Sequence, residues 1–325
     1  MSEKRKFIVV TGGLGFIGNN LVRELNRRGH KDIVVVDHLD KGVKWKNFDG
    51  IDFEDYFDRG DFMKLLSEDK LPEISAVFHL GACSSTTETD TAYLMENNYR
   101  YTRMLCLWCV TKGARFITAS SAASYGDGSR GYCDEDELTP SLSPLNMYGM
   151  SKHLFDKWAL KNGLYRQIVG LKFFNVYGPH EDHKGDMRSV IWKSFQQIKS
   201  QGKVGLFKSY KPEFGDGEQK RDFVFVDDVV KVMLHFAAHR EVNGLFNCGT
   251  GEARSWNDLA KAVFKALGME PKIEYVDMPE TLQAKYQYFT QADLRKLRAS
   301  GYNEPFTSLE DGAAAYVKWM QEQAE

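Results

Sequence analysis

Three glycines between a short apolar run and a helix-like stretch constrain this chain more than any other feature. The run at residues 7–10 is continuously apolar, which predicts a strand buried on both faces. Gly12, Gly15 and Gly18 follow, and residues 16–28 have a helical pattern. Glycines at this spacing permit a tight turn and let the backbone approach a pyrophosphate at the helix N-terminus. The segment therefore predicts the first strand, turn and helix of a dinucleotide-binding unit.

The second predicted strand bears on which dinucleotide is bound. Residues 33–36 form another apolar run, and it ends at Asp37, about 20 residues beyond the glycines. An acidic side chain there can bond a ribose hydroxyl, which favours NAD. Lys44 and Arg59 can instead neutralise a 2′-phosphate, which favours NADP. The residues alone leave both cofactors open.

Strands and helices alternate through the first half of the chain, as in parallel sheets covered by helices on both faces. We therefore predict an α/β fold, a Rossmann-type doubly wound parallel sheet with a smaller, mixed C-terminal substrate domain. Further strands are predicted at residues 76–80, 115–119, 167–174, 221–226 and 244–248, and helices at 91–112, 148–162, 187–201, 227–239, 255–267, 291–298 and 308–323.

No obvious linker divides the chain, so we expect the second domain to be built from excursions out of the first. The cofactor-binding domain is predicted to span residues 1–175, with returning segments near 221–248. The substrate-binding domain is predicted to comprise residues 176–220 and 249–325.

Composition and charge exclude several classes of protein. The chain has 43 Lys and Arg against 45 Asp and Glu, a net charge of −2, so it lacks the basic excess of most nucleic-acid-binding proteins. Its five cysteines are an odd number and indicate reduced thiols. The longest uncharged stretch, residues 7–22, is too short and too glycine-rich to span a bilayer. With no recognisable secretory leader, we expect a cytoplasmic protein that binds neither membrane nor nucleic acid.

Tyr148 and Lys152 are the sharpest catalytic signal. Residues at i and i+4 share one helix face, and a nearby ammonium group is expected to lower the pKa of the phenol. The same lysine can hold a nicotinamide ribose. Ser121, directly after the strand at 115–119, can bond the same substrate oxygen as Tyr148. Following a glycine-rich turn, these three residues predict proton transfer coupled to hydride transfer.

No metal site is predicted. Cys106 and Cys109 lie in the middle of a predicted helix without a second pair, and are interpreted as core residues. His180 and His183 lack a third ligand at suitable spacing, and are interpreted as solvated loop histidines.

Longer segments carry a family resemblance. Together with the motifs above, they resemble ADP-L-glycero-D-manno-heptose 6-epimerases of the extended short-chain dehydrogenase/reductase superfamily; the segments are 81–88, 174–179, 183–185, 220–223 and 286–294. The resemblance implies inversion at C6 of an ADP-heptose by transient oxidation and re-reduction, for lipopolysaccharide inner-core synthesis. It also implies one tightly bound NADP per subunit and a homo-oligomer, specifically a pentamer.

The resemblance also implies roles for individual residues. Tyr148 and Lys184 would be the two acid/base groups, with Lys152 and Ser121 beside them. The implied cofactor contacts, beside the three glycines, are Phe16, Ile17, Asp37, His38, Lys44, Arg59, Leu80, Gly81, Ala82, Cys83, Ser84, Asn97, Lys152, Val176 and Lys184. The implied substrate contacts are Ser85, Asn175, Asp186, Lys193, Phe207, Arg221 and Tyr286.

Three departures from the family pattern fall in the substrate half. Asp186 stands where the family often has serine, and Lys193 stands where it often has histidine. Residues 207–210 read Phe-Lys-Ser-Tyr instead of Phe-Glu-Gly-Ser. The exact sugar and nucleotide therefore stay open at this point.

Three alternative functions share parts of this pattern. A nucleotide-sugar 4,6-dehydratase needs acidic groups beside the active-site hydroxyl, whereas Ala122 and Ala123 follow Ser121 here. A C4 epimerase is harder to exclude because one tyrosine suffices for it, although Lys184 and residues 81–88 favour the C6 enzyme. A non-catalytic, cofactor-sensing protein is disfavoured by the intact serine, tyrosine and lysine set.

Overall fold

A seven-stranded parallel sheet forms the centre of the protein. The computed structural model describes residues 5–39, 41–283 and 286–323. The strands of this sheet are β1 (Phe7–Thr11), β2 (Ile33–Asp37), β3 (Asp55–Asp58), β4 (Ile74–His79), β5 (Arg115–Ser121), β6 (Val169–Phe173) and β10 (Gly244–Cys248). Their spatial order is β10-β6-β5-β4-β1-β2-β3. Strand order reverses beside β1, so a crevice opens between the carboxyl ends of β1 and β4, where ligands bind in such sheets.

Helices cover both faces of the sheet, as predicted. Those of the first part are α1 (Phe16–Arg27), α2 (Arg59–Ser67), α3 (Thr91–Leu94), α4 (Tyr101–Lys112) and α5 (Met147–Lys161). Those of the second part are α6 (Val190–Gln201), α7 (Val226–Ala238), α8 (Trp256–Ala266), α9 (Glu280–Gln283), α10 (Arg295–Ala299) and α11 (Leu309–Glu322).

Adjacent side chains of β1 show why its sequence does not alternate. Val10 packs with α1 and α7 on one face of the sheet, and Val9 packs with α2, α4 and α5 on the other. Both residues are fully buried. A strand that faces helices on both sides needs apolar residues at every position, as the run at 7–10 predicts.

Two small sheets and a third core lie in the C-terminal half. β7 (Asn175–Tyr177), β9 (Lys220–Phe225) and β11 (Ala253–Ser255) form one sheet, and β8 (Val204–Phe207) pairs with β12 (Ile273–Val276) in the other. Their side chains pack with those of α6, α8 and α11. The predicted smaller, mixed unit is therefore present, while the residue boundaries proposed for the two domains stay a prediction.

Three predicted helices differ from the observed ones. The stretch at 91–112 contains a π-helical segment, Met95–Arg100, between α3 and α4. The helix predicted from 187 begins at Val190, because the Ser189 side chain accepts a hydrogen bond from Trp192 N and so caps α6. The helix predicted at 291–298 is shorter in the structure, where only α10 (Arg295–Ala299) forms. None of the described helices is both long and apolar enough to cross a membrane.

Candidate active site

The glycine-rich turn brings two backbone segments into close approach. Gly12 has φ of +68°, and a Cβ on it would lie 2.7 Å from Gly81 N. A Cβ on Gly18 would lie 2.1 Å from Gly12 O. Helix α1 begins at Phe16, so its unpaired N–H groups stand at this turn. The turn therefore has the close backbone approach and the helix N-terminus that a pyrophosphate needs.

A cavity of about 700 Å³ opens over the carboxyl ends of the strands. It has the size and position of a cofactor-and-substrate site. The predicted site residues that line it are Gly12, Gly15, Phe16, Ile17, Gly18, Asp37, Lys44, Leu80, Gly81, Ala82, Cys83, Ser84, Ser85, Ser121, Tyr148, Lys152, Asn175, Val176 and Lys184. A neighbouring cavity of about 200 Å³ adds His38, Arg59 and Asn97. The glycine turn and both cavities fit a bound dinucleotide.

Asp37 is held by the backbone and by a lysine. Its buried carboxylate accepts hydrogen bonds from Leu14 N at 2.8 Å and His38 N at 2.7 Å. Lys44 forms an ion pair with it. The negative charge at the end of β2 is thus partly compensated, so the acidic residue alone does not decide between a ribose hydroxyl and a ribose phosphate.

The π-helical segment places two asparagines that sequence periodicity could not position. Asn97 accepts a hydrogen bond from Arg59, whose guanidinium lies 5.8 Å from the Tyr93 ring centre. The Asn98 side chain bonds the backbone of Cys83 in both directions and donates to Ser151 Oγ at 3.0 Å. Asn98, which sequence analysis missed, thereby ties the cavity wall at Cys83 to helix α5.

Ser121 and Tyr148 are brought together by a close contact between two elements. Ser121 ends β5, and its Oγ accepts from Ala123 N at 3.1 Å. Helix α5 begins just before Tyr148, and a Cβ on Gly149 would lie 2.9 Å from Ala123 O. The small residues on both sides let α5 pack tightly against the end of β5. This packing lets the Tyr148 side chain form a hydrogen bond with the Ser121 side chain.

The pKa values of Tyr148 and Lys152 are dominated by burial. Burial raises the pKa of Tyr148, and the hydrogen bond with the Ser121 side chain offsets part of the rise. Burial lowers the pKa of Lys152 to about 8, and Asp156 opposes that shift. Lys152 Nζ donates to Ala119 O at 2.8 Å. The pKa of Tyr148 is therefore raised and not lowered as expected from Lys152, because burial has the largest influence on it.

Lys184 lines the same cavity and belongs to a different element from Tyr148. It lies in the 3₁₀ segment Asp182–Met187, which follows β7. Its Nζ lies 4.9 Å from the ring centre of Phe16 and 3.6 Å from Glu181 Oε2. Burial lowers the pKa of Lys184, and Glu181 opposes the shift. A lysine with a lowered pKa can exchange protons nearer neutrality.

The predicted substrate residues fall into three groups. Ser85 and Asn175 line the large cavity. Lys193 Nζ donates to Asp186 O at 2.7 Å, outside the lining. The third group is an aromatic cluster around Arg221, also outside the lining: Tyr286 lies 5.0 Å from its guanidinium, and Phe207 contacts Tyr286 edge-on.

Trp256 connects this cluster to the cavity and was missed by sequence analysis. It lines the cavity, lies 5.6 Å from the Arg221 guanidinium, and donates from Nε1 to Tyr286 OH at 2.7 Å. It belongs to an apolar wall that also includes Val190, Ile191, Phe223 and Leu259. Residues distant in sequence form this wall, and no local motif indicates it.

The two loop histidines are less solvated than predicted. His180 contacts Trp319 edge-on with 5.0 Å between ring centres, and His183 Nδ1 lies 3.4 Å from Asn47 Nδ2. Burial lowers the pKa of each to about 4. Both are therefore neutral at physiological pH. Cys106 and Cys109 are fully buried in the core, as interpreted from sequence.

Comparisons with known proteins agree with this geometry. Residues 8–249 match the model of the NAD dependent epimerase/dehydratase family. An ADP-L-glycero-D-manno-heptose-6-epimerase of Nitratidesulfovibrio vulgaris is 55% identical over 311 residues, which cover 95% of this chain and 96% of the relative. One of Fusobacterium nucleatum is 46% identical over 96% of this chain and 97% of its own.

Structural similarity extends the match at lower identity. The crystal structure of the Helicobacter pylori ADP-L-glycero-D-manno-heptose-6-epimerase is 29% identical, with a TM-score of 0.82. The alignment covers 98% of this chain and 97% of that one. The protein is thus an epimerase of the isomerase class, with a nicotinamide cofactor and a nucleotide-sugar substrate. The chain belongs to the NAD-dependent epimerase/dehydratase family and, within it, to the ADP-L-glycero-D-manno-heptose-6-epimerases.

Proposed function

We propose that the chain converts ADP-D-glycero-D-manno-heptose into ADP-L-glycero-D-manno-heptose, in the cytoplasm, for the lipopolysaccharide inner core. The observation that carries the proposal is the approach of two acid/base groups to one cavity from separate elements, Tyr148 from α5 and Lys184 from the segment after β7. Relatives at 55% and 46% identity support the choice of sugar and nucleotide.

The proposed chemistry requires hydride to leave one face of C6 and return to the other, while a proton leaves and returns at the oxygen. A nicotinamide cofactor, when bound, supplies a reversible hydride acceptor for a carbon that carries a hydroxyl group. C6 of the heptose carries a secondary hydroxyl, so its oxidised form is a ketone. Tyr148 exchanges the proton of the oxygen in one configuration, and Lys184 exchanges it after the ketone has presented its other face. A second acid/base group is useful because the oxygen lies at a different place after the ketone has turned over.

The remaining residues hold and orient the ligands. Ser121 would bond the oxygen that Tyr148 serves, and Lys152 would hold the nicotinamide ribose of a bound cofactor. The buried Arg221 guanidinium packs on the rings of Trp256 and Tyr286 and orders both side chains beside the cavity. The substrate's nucleotide enters on that apolar side.

We assign the cofactor as one tightly bound NADP per subunit, in a homo-oligomer that the family resemblance suggests is a pentamer. Lys44 and Arg59 support the assignment because both flank the small cavity beside Asp37. Since Lys44 already compensates the Asp37 carboxylate, a phosphate placed there meets less repulsion than the acidic residue alone would cause.

Incubation with ADP-D-glycero-D-manno-heptose, followed by NMR of the product, tests the proposed reaction. We expect an equilibrium mixture of the two C6 epimers, with no net consumption of added nucleotide because oxidation and re-reduction balance. A product inverted at C4 would establish the alternative epimerase instead. Cofactor binding without turnover of any ADP-sugar would favour the non-catalytic alternative.

Changing Lys44 to Ala should weaken NADP binding more than NAD binding. A charged contact to phosphate contributes about 1.5–3 kcal/mol, or roughly 10- to 150-fold in Kd. Titration calorimetry on protein stripped of nucleotide measures both affinities. Lys46→Ala, an exposed lysine on the same 3₁₀ turn that lines neither cavity, is the control. Equal losses for the two cofactors would contradict the assignment of Lys44 to the 2′-phosphate.

A further inference from the structure

The Lys184 amine is paired with a carboxylate that has no contact with solvent. Glu181 is fully buried, three residues before Lys184, and its Oε2 lies 3.6 Å from Lys184 Nζ. Among the described residues, no other carboxylate lies within ion-pair distance of this amine. A buried carboxylate is costly unless its oxygens are paired, so its presence here calls for a specific role.

Three further donors hold the Glu181 carboxylate in place. Ser189 N donates to Oε2 at 2.8 Å, and the Ser189 hydroxyl donates to Oε1. Tyr316, buried in α11, donates to Oε1 at 3.0 Å. Because these bonds come from the start of α6 and from α11, the carboxylate is fixed to the substrate half of the protein. Lys184 and Ser189 both line the cavity, and of the two only Lys184 carries a charge.

The charges around Lys184 otherwise oppose a protonated amine. Lys193 on α6 lowers the pKa of Lys184, as burial does. His183 is neutral, since burial and the charges of Lys44 and Lys184 lower its pKa to about 4. The Asp182 carboxylate accepts from Trp192 Nε1, and Arg188 stacks on the Trp192 ring. Glu181 is thus the group that opposes the lowering of the Lys184 pKa and favours a proton on its amine.

We propose, on the basis of the function proposed above, that Glu181 is a positioning residue for the second acid/base group: it holds the Lys184 amine at the cavity wall and keeps it charged. In one direction of the reaction the amine then donates its proton to the substrate oxygen on its side of C6 while Tyr148 takes the hydroxyl proton on the other side, and in the reverse direction the two groups exchange roles. The Phe16 ring, whose centre lies 4.9 Å from Nζ, restricts the movement of the amine towards the cofactor side of the cavity.

Glu181→Gln removes the charge and keeps the shape. The amide oxygen can accept from Ser189 N, while the hydroxyls of Ser189 and Tyr316 can turn to accept from the amide nitrogen. Loss of an opposite charge at this distance should move the titration of Lys184 to lower pH by about one unit. Competitive acetylation with acetic anhydride, quantified on the Lys184 peptide by mass spectrometry, measures this shift in the titration of Lys184. About tenfold faster labelling is expected at pH values below both midpoints.

Asp182→Asn is the matched control. It removes one negative charge from the adjacent residue, which is exposed, and its amide oxygen still accepts from Trp192. Labelling of Lys184 should not change in this variant. If Glu181→Gln fails to fold, as judged by circular dichroism, Glu181→Asp replaces it, with a smaller shift in the same direction because the charge recedes without being lost.

Two readouts separate this inference from the proposed function. The labelling needs neither substrate nor turnover, so it tests the pairing even if the ADP-heptose is not a substrate. With the ADP-heptose as substrate, kcat is measured as a function of pH. The part of that profile that tracks the titration of Lys184 should shift to lower pH in Glu181→Gln, with little change in KM. Unchanged labelling of Lys184 in both Glu181 variants would overturn the proposal. An increase in KM with no change in the kcat profile would overturn it as well.

Discussion

Tyr148→Phe should reduce kcat by about 100- to 10,000-fold, because it removes one of the two acid/base groups and leaves the ring in place. The ring keeps its packing on α5, and the hydrogen bond with Ser121 that is lost contributes only about 1 kcal/mol to stability. Steady-state kinetics with the ADP-heptose, together with thermal unfolding, measure both effects. KM should change little, since the hydroxyl acts on the reacting oxygen.

Tyr275→Phe provides the comparison for this variant. That hydroxyl also donates a hydrogen bond, to Asn257 Oδ1 at 3.1 Å, but the side chain lies outside both cavities. Its turnover should equal that of the wild type. A Tyr148→Phe protein with near-normal turnover and the same fold would remove Tyr148 from the mechanism.

The fold was predictable where local signals and long-range packing agree. The glycine turn, the apolar run at 7–10 and the strand ending at Asp37 lie within about one residue of their predicted positions. The predicted parallel sheet, the family and the epimerase activity are confirmed. The glycine turn and the first two strands depend on residues whose conformation or burial is decided within one βα unit, where a short window of sequence contains the relevant interactions.

Other parts depend on contacts between distant residues. The π-helical segment around Asn98 forms where its side chain bonds Cys83 and Ser151, and periodicity carries no signal for that. Short strands such as β11 and β12 exist through their pairing with β9 and β8. The apolar wall at Trp256 likewise joins elements from separate parts of the chain. None of these could be read from a window of neighbouring residues.

In the candidate site, too, local motifs were predictable and long-range contacts were not. The motif residues Ser121, Tyr148 and Lys152 meet at one cavity, where the carboxyl end of β5 adjoins the start of α5. The directions of the pKa shifts of Tyr148 and Lys152 were not predictable, because they depend on burial in the folded protein. The hydrogen bond from Lys152 to Ala119 O was not predictable either. Assignment of roles to the individual site residues, the choice of NADP and the oligomeric state stay predictions.

Lys184→Met should lower kcat by about 100- to 10,000-fold while the substrate still binds. The alternative is a surface lysine that holds a substrate phosphate, and its loss would mainly raise KM. Methionine has a similar length and no proton to exchange, so the two possibilities give different kinetic results. Lys199→Met, at an exposed position near the end of α6, should match the wild type in both constants.

The same variant should also change how stability depends on pH. Burial raises the pKa of Glu181, and Lys184 opposes that rise, so removal of the amine raises the pKa further. A carboxyl group whose pKa is higher in the folded than in the unfolded protein binds a proton preferentially in the folded state, and its contribution to stability is lost as pH rises between the two values. Lys184→Met should therefore lose stability relative to wild type as pH rises through that window, measured by urea unfolding across pH. A kcat that stays at the wild-type value, with only KM raised, would contradict the two-base mechanism whatever the unfolding data show.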